Sequence, residues 1–200
     1  MKIRKGNFGY IRAQKKKRVL VTLVLFAIPL LIFFTGLAIT KTRLNLFTFV
    51  AIMGCLPASK SAVGMILMLM QKPMEETAYR QIEAHKGSLE VAYELTVTAY
   101  EKSTQIDSIA VCANTVIGYT QSLKADLSFA EQHMEKILKG NGYKVNVKIF
   151  RELKPYLERL DSLNEHQEKL REGISFTPDE RYPDLTREAL IKHTILAISL

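Results

Sequence analysis

The sequence predicts a membrane-anchored α/β protein: two transmembrane helices followed by a soluble mixed-sheet domain of about five strands, with an α+β arrangement as the alternative. Three observations carry this. Two long apolar stretches occupy the first third of the chain. The first acidic residue is Glu75, so the 12 Lys and Arg of residues 1–74 face none of the 20 acids, while residues 75–200 keep 16 cations for a net of −4. Beyond residue 88, apolar residues alternate with period two in short runs, interleaved with runs at helical spacing.

Residues 1–18 form a basic tail. Val19 to Thr40 carries no charge over 22 residues, which at 1.5 Å each spans the roughly 30 Å hydrocarbon layer. A cleaved signal sequence has a shorter apolar core of about 7–15 residues, and here a second apolar stretch follows at once. Residues 41–43 link to that stretch, residues 44–70, which is apolar except for Pro57-Ala58-Ser59-Lys60-Ser61. About 20 residues suffice to cross, so a helix entering at Leu44 exits near Val63, and Ala62 to Met70 continues as an interfacial extension. Lys60 then lies within a turn of the interface, where its stem carries the ammonium to the headgroups. A re-entrant turn at Pro57–Ser59 is the alternative, and it places the C-terminal domain on the opposite side.

Flanking charge sets the orientation. Lys2, Arg4, Lys5, Arg12, Lys15, Lys16, Lys17 and Arg18 precede the first helix, Lys41 and Arg43 lie in the link, and Lys72 follows the second helix. Basic flanks stay inside, so the tail and the domain of residues 74–200 are expected in the cytoplasm and the link outside a cell membrane crossed twice. Lys15 to Arg18 also attract anionic headgroups. Cys55 and Cys112 fall in different parts of the chain, with neither a disulfide framework nor a zinc spacing.

The remaining elements follow in order. Pro73 sits at a natural helix start, leading to Gly87-Ser88. Leu89, Val91, Tyr93, Leu95, Val97 and Ala99 alternate with polar or small residues as a half-buried strand. Ile106 to Val111 and Thr115 to Thr120 read as two more strands, joined at Cys112-Ala113-Asn114 with Asn114 in the left-handed position. Ser128 to Glu131 has capping-box spacing ahead of a helix with Ala130, Met134, Ile137 and Leu138 on its apolar stripe. Asn141-Gly142 turns into a strand at Tyr143 to Phe150. An amphipathic helix spans about Lys154 to Glu172, a loop contains Pro178 and Pro183, and a short helix near Asp184 to His193 leads to a buried final strand at Thr194 to Ser199. The order is α-β-β-β-α-β-α-α-β.

Over residues 75–150 this order resembles the core of the PD-(D/E)xK nucleases, with Asp107 placed in Ile106-Asp107-Ser108-Ile109-Ala110-Val111. The resemblance implies a Mg²⁺ ion held by that acid, with an acid and a lysine one residue apart on the next strand. That strand reads Val116-Ile117-Gly118-Tyr119-Thr120-Gln121 and has neither. Lys124 and Asp126 lie beyond it, so a site here would be degenerate or migrated. The domain's net charge of −4 disfavours a nucleic-acid partner. The phosphate-binding and nucleophile-elbow signatures are absent, and His85, His133, His166 and His193 are scattered. Tyr93, Tyr100, Tyr119 and Tyr143 read as core residues before they read as a binding platform.

The expectation is therefore a cytoplasmic, membrane-tethered domain that binds another protein or itself without catalysis and without a cofactor. A membrane-anchored hydrolase centred on Asp107 is one alternative. The other is a small subunit of a transport or envelope complex, using Lys60, Gly54, Gly64 and Pro57.

Overall fold

A computed structural model describes residues 3–99, 102–123, 125–174, 176 and 182–199, with the side chains of Ala99 and Lys102 left aside. Lys2, Tyr100, Lys124, Pro178, Asp179 and Glu180 lie outside the described residues. The chain divides into two units, Ile11–Lys72 and a second comprising Met1–Tyr10 with Pro73–Leu200.

The first unit is a hairpin of α1, Tyr10–Thr40, and α2, Leu46–Met70, both long and apolar enough to cross a membrane. Helix α1 begins nine residues before the uncharged stretch, because Tyr10 to Arg18 is rich in Ala, Gln, Lys and Arg, all good helix formers. Helix α2 runs unbroken through Pro57, so the alternative re-entrant turn is not formed. Asn45 caps it, its side chain accepting from Thr48 N at 2.9 Å. The two helices run antiparallel in a fixed register. Lys15 Nζ donates to Leu69 O, Arg18 Nη1 to Gly64 O, Thr22 Oγ1 bonds Ser61 Oγ at 2.8 Å, Gly54 packs on Pro29, and Gly36 packs on Phe47. Lys15, Thr22, Pro29 and Gly36 recur every seven residues, the period that keeps one seam of a helix pair in contact. Small residues on that seam permit close approach: a Cβ on Gly36 would fall 2.3 Å from Phe47 Cβ.

The second unit is a four-stranded mixed sheet between two helical layers. Its strands are β1 Glu90–Ala99, β2 Lys102–Cys112, β3 Thr115–Tyr119 and β4 Asn146–Phe150, side by side in that order. The first three are antiparallel; β4 joins β3 in parallel after α4, Leu127–Gly140. On one face α4 and α7, Arg187–Ile198, enclose Leu95, Ile106, Val116, Met134, Leu138 and Ile191. On the other, α3, Glu76–His85, and α5, Leu153–Glu165, enclose Ile82, Tyr93, Ile117, Tyr156 and Leu160.

Several expectations are corrected. Thr194 to Ser199 is no fifth strand. Thr186 caps α7 through Ala189 N, and Leu190, Ile191 and Ile195 give a buried helical stripe that outweighs the β-branched composition. Ser199 alone forms a bridge, to Val97. The described order is thus α-β-β-β-α-β-α-α-α in this unit, since the amphipathic run after Leu153 breaks at His166 into α5 and α6, Gln167–Arg171. Asp126, not Ser128, caps α4, accepting from Phe129 N. Strand β4 starts at Asn146, three residues later than the alternation suggests. In the β2–β3 turn the left-handed position belongs to Ala113, at φ +53°, not Asn114.

Residues ahead of α1 also belong to this unit. Tyr93 N donates to Gly6 O at 2.8 Å, Phe8 stacks on Tyr79 with ring centroids 4.1 Å apart, and Lys5 Nζ donates to Ser199 O. Gly6 is required there. Its φ is +86°, and a Cβ would meet Leu196 Cδ2 at 2.9 Å.

Candidate functional site

Asp107 lies at the one irregular step in the β1–β2 ladder. Tyr93 pairs with Ser108 and Leu95 with Ile106, so Glu94 stands opposite Asp107, yet the two do not pair. Glu94 has φ +54°, a conformation that costs an ordinary side chain about 1–2 kcal/mol. The step reverses both strands. Leu89 and Tyr93 pack under α3 and α5, whereas Leu95 and Val97 pack under α4 and α7; on β2, Ile106 and Ile109 share a face although three residues apart. The regular alternation of residues 89–99 read from sequence therefore does not define one wet and one dry face. Both faces are covered.

The reversal buries two carboxylates. Asp107 is 3% exposed, and its Oδ2 accepts from Gln121 N at 2.6 Å and its Oδ1 from Gln105 Nε2 at 3.2 Å. Burial raises its pKa, opposed by those two hydrogen bonds and reinforced by the charges of Glu94 and Glu75. Glu94, 1% exposed, accepts from Met74 N at 3.2 Å at the entrance to α3. At the end of β3 and just beyond it, the neighbours are Tyr119, Thr120 and Gln121. The Tyr119 hydroxyl is likewise raised by burial, against a hydrogen bond from Gln121. Beside them, Ser108 Oγ and the fully buried Tyr156 hydroxyl bond at 3.0 Å.

These residues do not fit the Mg²⁺ ion that the nuclease resemblance implies. Both oxygens of Asp107 are engaged by protein N–H groups, Glu94 is engaged at Met74, and no group of three His, Cys, Asp or Glu residues among those described is arranged to hold a metal. Asp107 ties down the β3 exit and Glu94 the α3 entrance. Sequence reasoning found Asp107 and missed Glu94, which sat on the supposed wet face.

A second feature lies at the sheet's far edge. Val147 N donates to Glu135 Oε1 at 2.8 Å and Ile149 N to Glu131 Oε1 at 2.7 Å, so two glutamates one turn apart on α4 cover the outward amides of β4. Next to them an open cleft of 650 Å³ is lined by Gln132, Glu135, Lys136, Lys139, Lys144 and Val145. The opposite edge, β1, is covered by Gly6 at Tyr93 and Ser199 at Val97. Large apolar side chains exposed on this unit, among the described residues, are Ile3, Leu123, Leu170 and Tyr182, from four separate segments.

The cations of the hairpin divide by role. Lys15 and Arg18 donate to carbonyls of α2, and Lys16, Lys17 and Arg18 are all exposed. Lys60 and Pro57 are exposed on α2, and Gly54 and Gly64 are contact points within the hairpin. Lys72 is exposed at its end. Elsewhere His85 Nδ1 meets Asp161 at 2.8 Å, pinning α3 to α5, and His133 stacks on Phe129. Tyr93 and Tyr119 belong to one core layer, and Tyr143 packs against the other, so these three form no common platform. Both cysteines are free; Cys112 is fully buried. No family model, no curated protein and no solved structure matches this chain.

Proposed function

We propose that this chain is a two-pass membrane protein whose basic end faces the cytoplasm and whose α/β unit acts there as a non-catalytic binding or assembly module. The observation that carries the reading is the docking of residues 3–9 onto β1, α3 and α7. The segments entering and leaving the hairpin join one folded body, which favours two crossings over one. The excess of cations flanking that end then favours the cytoplasmic side. With Asp107 and Glu94 engaged by backbone and side-chain amides, the unit offers partners a polar surface rather than a reaction centre. Both sheet edges are covered, so strand addition is disfavoured. The lysine-lined cleft beside α4 favours an acidic protein partner.

Thiol labelling tests the topology. Because Cys112 is buried, reporters belong at exposed positions: Arg4→Cys, Thr42→Cys and Lys169→Cys, each without Cys55 and Cys112. A membrane-impermeant reagent on intact cells is expected to label Thr42→Cys alone; labelling of Arg4→Cys or Lys169→Cys refutes the orientation. The hydrolase alternative rests on Asp107. A rise in melting temperature with Mg²⁺ or Mn²⁺ that Asp107→Asn abolishes would replace the non-catalytic reading.

A further inference from the structure

We propose that the basic end of the hairpin carries an anionic phospholipid headgroup site formed by Lys17, Arg18 and Lys60 where the Arg18 guanidinium crosses Gly64. The inference rests on the membrane reading above. In the antiparallel register Arg18 meets Gly64 and Thr22 meets Ser61. Lys17 immediately precedes a seam residue on α1, and Lys60 immediately precedes one on α2. At 100° per residue, and with the helices running oppositely, both side chains fall on the same flank of the hairpin. Lys60 starts about 7 Å deeper than Arg18 at 1.5 Å per residue, and its flexible stem reaches toward the charged end. Gly64 lets the Arg18 guanidinium lie directly against the α2 backbone between them. A Cβ there would stand 2.8 Å from Arg18 Nη1.

Charge complementarity names the occupant. The first 74 residues contain no carboxylate, and Arg18 spends a hydrogen bond on a backbone carbonyl rather than an ion pair. Exposed Lys17 and Lys60 therefore have no counter-charge within the hairpin. At the depth where uncharged helix gives way to lysine, the membrane supplies phosphodiesters. A lipid phosphate fits both the charge and the apolar approach past the exposed Val63 and Leu67.

The test uses the full chain in nanodiscs with equal phosphatidylglycerol and phosphatidylcholine, counting lipids retained by native mass spectrometry. Phosphatidylglycerol is expected to be retained preferentially. Lys17→Gln with Lys60→Gln is expected to lower that preference roughly 5- to 25-fold, near fivefold per lysine. Gly64→Ala, which displaces the guanidinium without removing charge, is expected to weaken it as well, while Lys16→Gln on the other flank leaves it unchanged. Equal loss from Lys16→Gln, or displacement of the lipid by soluble glycerol phosphate, overturns the site. Flotation with vesicles of pure phosphatidylcholine separates the two readings. A chain that floats but shows no headgroup preference refutes this inference alone, and one that does not float refutes the membrane reading with it.

Discussion

Removing the two glutamates that cover β4 tests how the sheet edge is maintained. Glu135 accepts from Val147 N and Glu131 from Ile149 N, at 2.8 and 2.7 Å, and the Glu131 side chain is only 16% exposed. A hydrogen bond to a charged group contributes about 1.5–3 kcal/mol. The amide near Glu135 gains water when its partner is removed, so the lower value applies there and a middle value at Ile149. The ion pair of Glu131 with Lys148, at 3.4 Å, adds little because the lysine is 65% exposed. Glu131→Ala with Glu135→Ala is then expected to cost about 4 kcal/mol, or roughly 14 °C in melting temperature for a unit of this size. Replacement by Gln keeps an acceptor oxygen and is expected to cost about half as much. The freed amides point outward on alternate residues, the pattern an incoming strand needs, so the double alanine variant is also expected to self-associate. Thermal unfolding and light scattering of the full chain in detergent read both effects. A double alanine variant that melts within 2 °C of the parent and stays monodisperse refutes the edge-guard argument.

Further outcomes are expected elsewhere. Asp107 has a pKa raised by burial, so it holds its proton more tightly folded than unfolded; its contribution to stability is present at low pH and lost as pH rises through the folded value. Asp107→Asn is therefore expected to be at least as stable as the parent at pH 7, the difference fading toward pH 3.8; a large loss at pH 7 in denaturant unfolding contradicts this. Tyr156→Phe strands the Ser108 hydroxyl and is expected to cost about 1–3 kcal/mol, largely recovered in a Ser108→Ala background, as a double-mutant cycle would report. Gly36→Ala, with its Cβ against Phe47, is expected to loosen the hairpin in detergent, measured by protease susceptibility, whereas Gly140→Ala meets nothing within 4 Å and should not.

The legible parts of the sequence were those where one physical demand dominates. Uncharged length gave both hairpin helices, and alternation with turn chemistry gave four strands and their neighbours. The errors arose where local and tertiary demands differ. Thr194 to Ile198 is β-branched and apolar, but the same residues also satisfy a helical stripe, and Ile195 completes the layer over β1. Glu94 could not be recognised as buried, because a reversed strand looks like a regular one until its partner strand is known. Glu131 has the spacing of a capping box, yet its carboxylate serves Ile149, eighteen residues away. At Asp107 the acid was visible and its meaning was not: the amides of Gln105 and Gln121 that occupy it are fixed only by the sheet.

The seating of Gly6 and Phe8 on β1 and α3 has a consequence for how the protein is made. These residues leave the ribosome before either long helix, but their berth consists of Tyr79, Tyr93 and Leu196, the last of which emerges almost two hundred positions later. Gly6 and Phe8 thus wait for their place until some 190 further residues have been made. Residues 73–200 produced alone would lack the Gly6 carbonyl that accepts from Tyr93 N and the Phe8 ring that covers Tyr79.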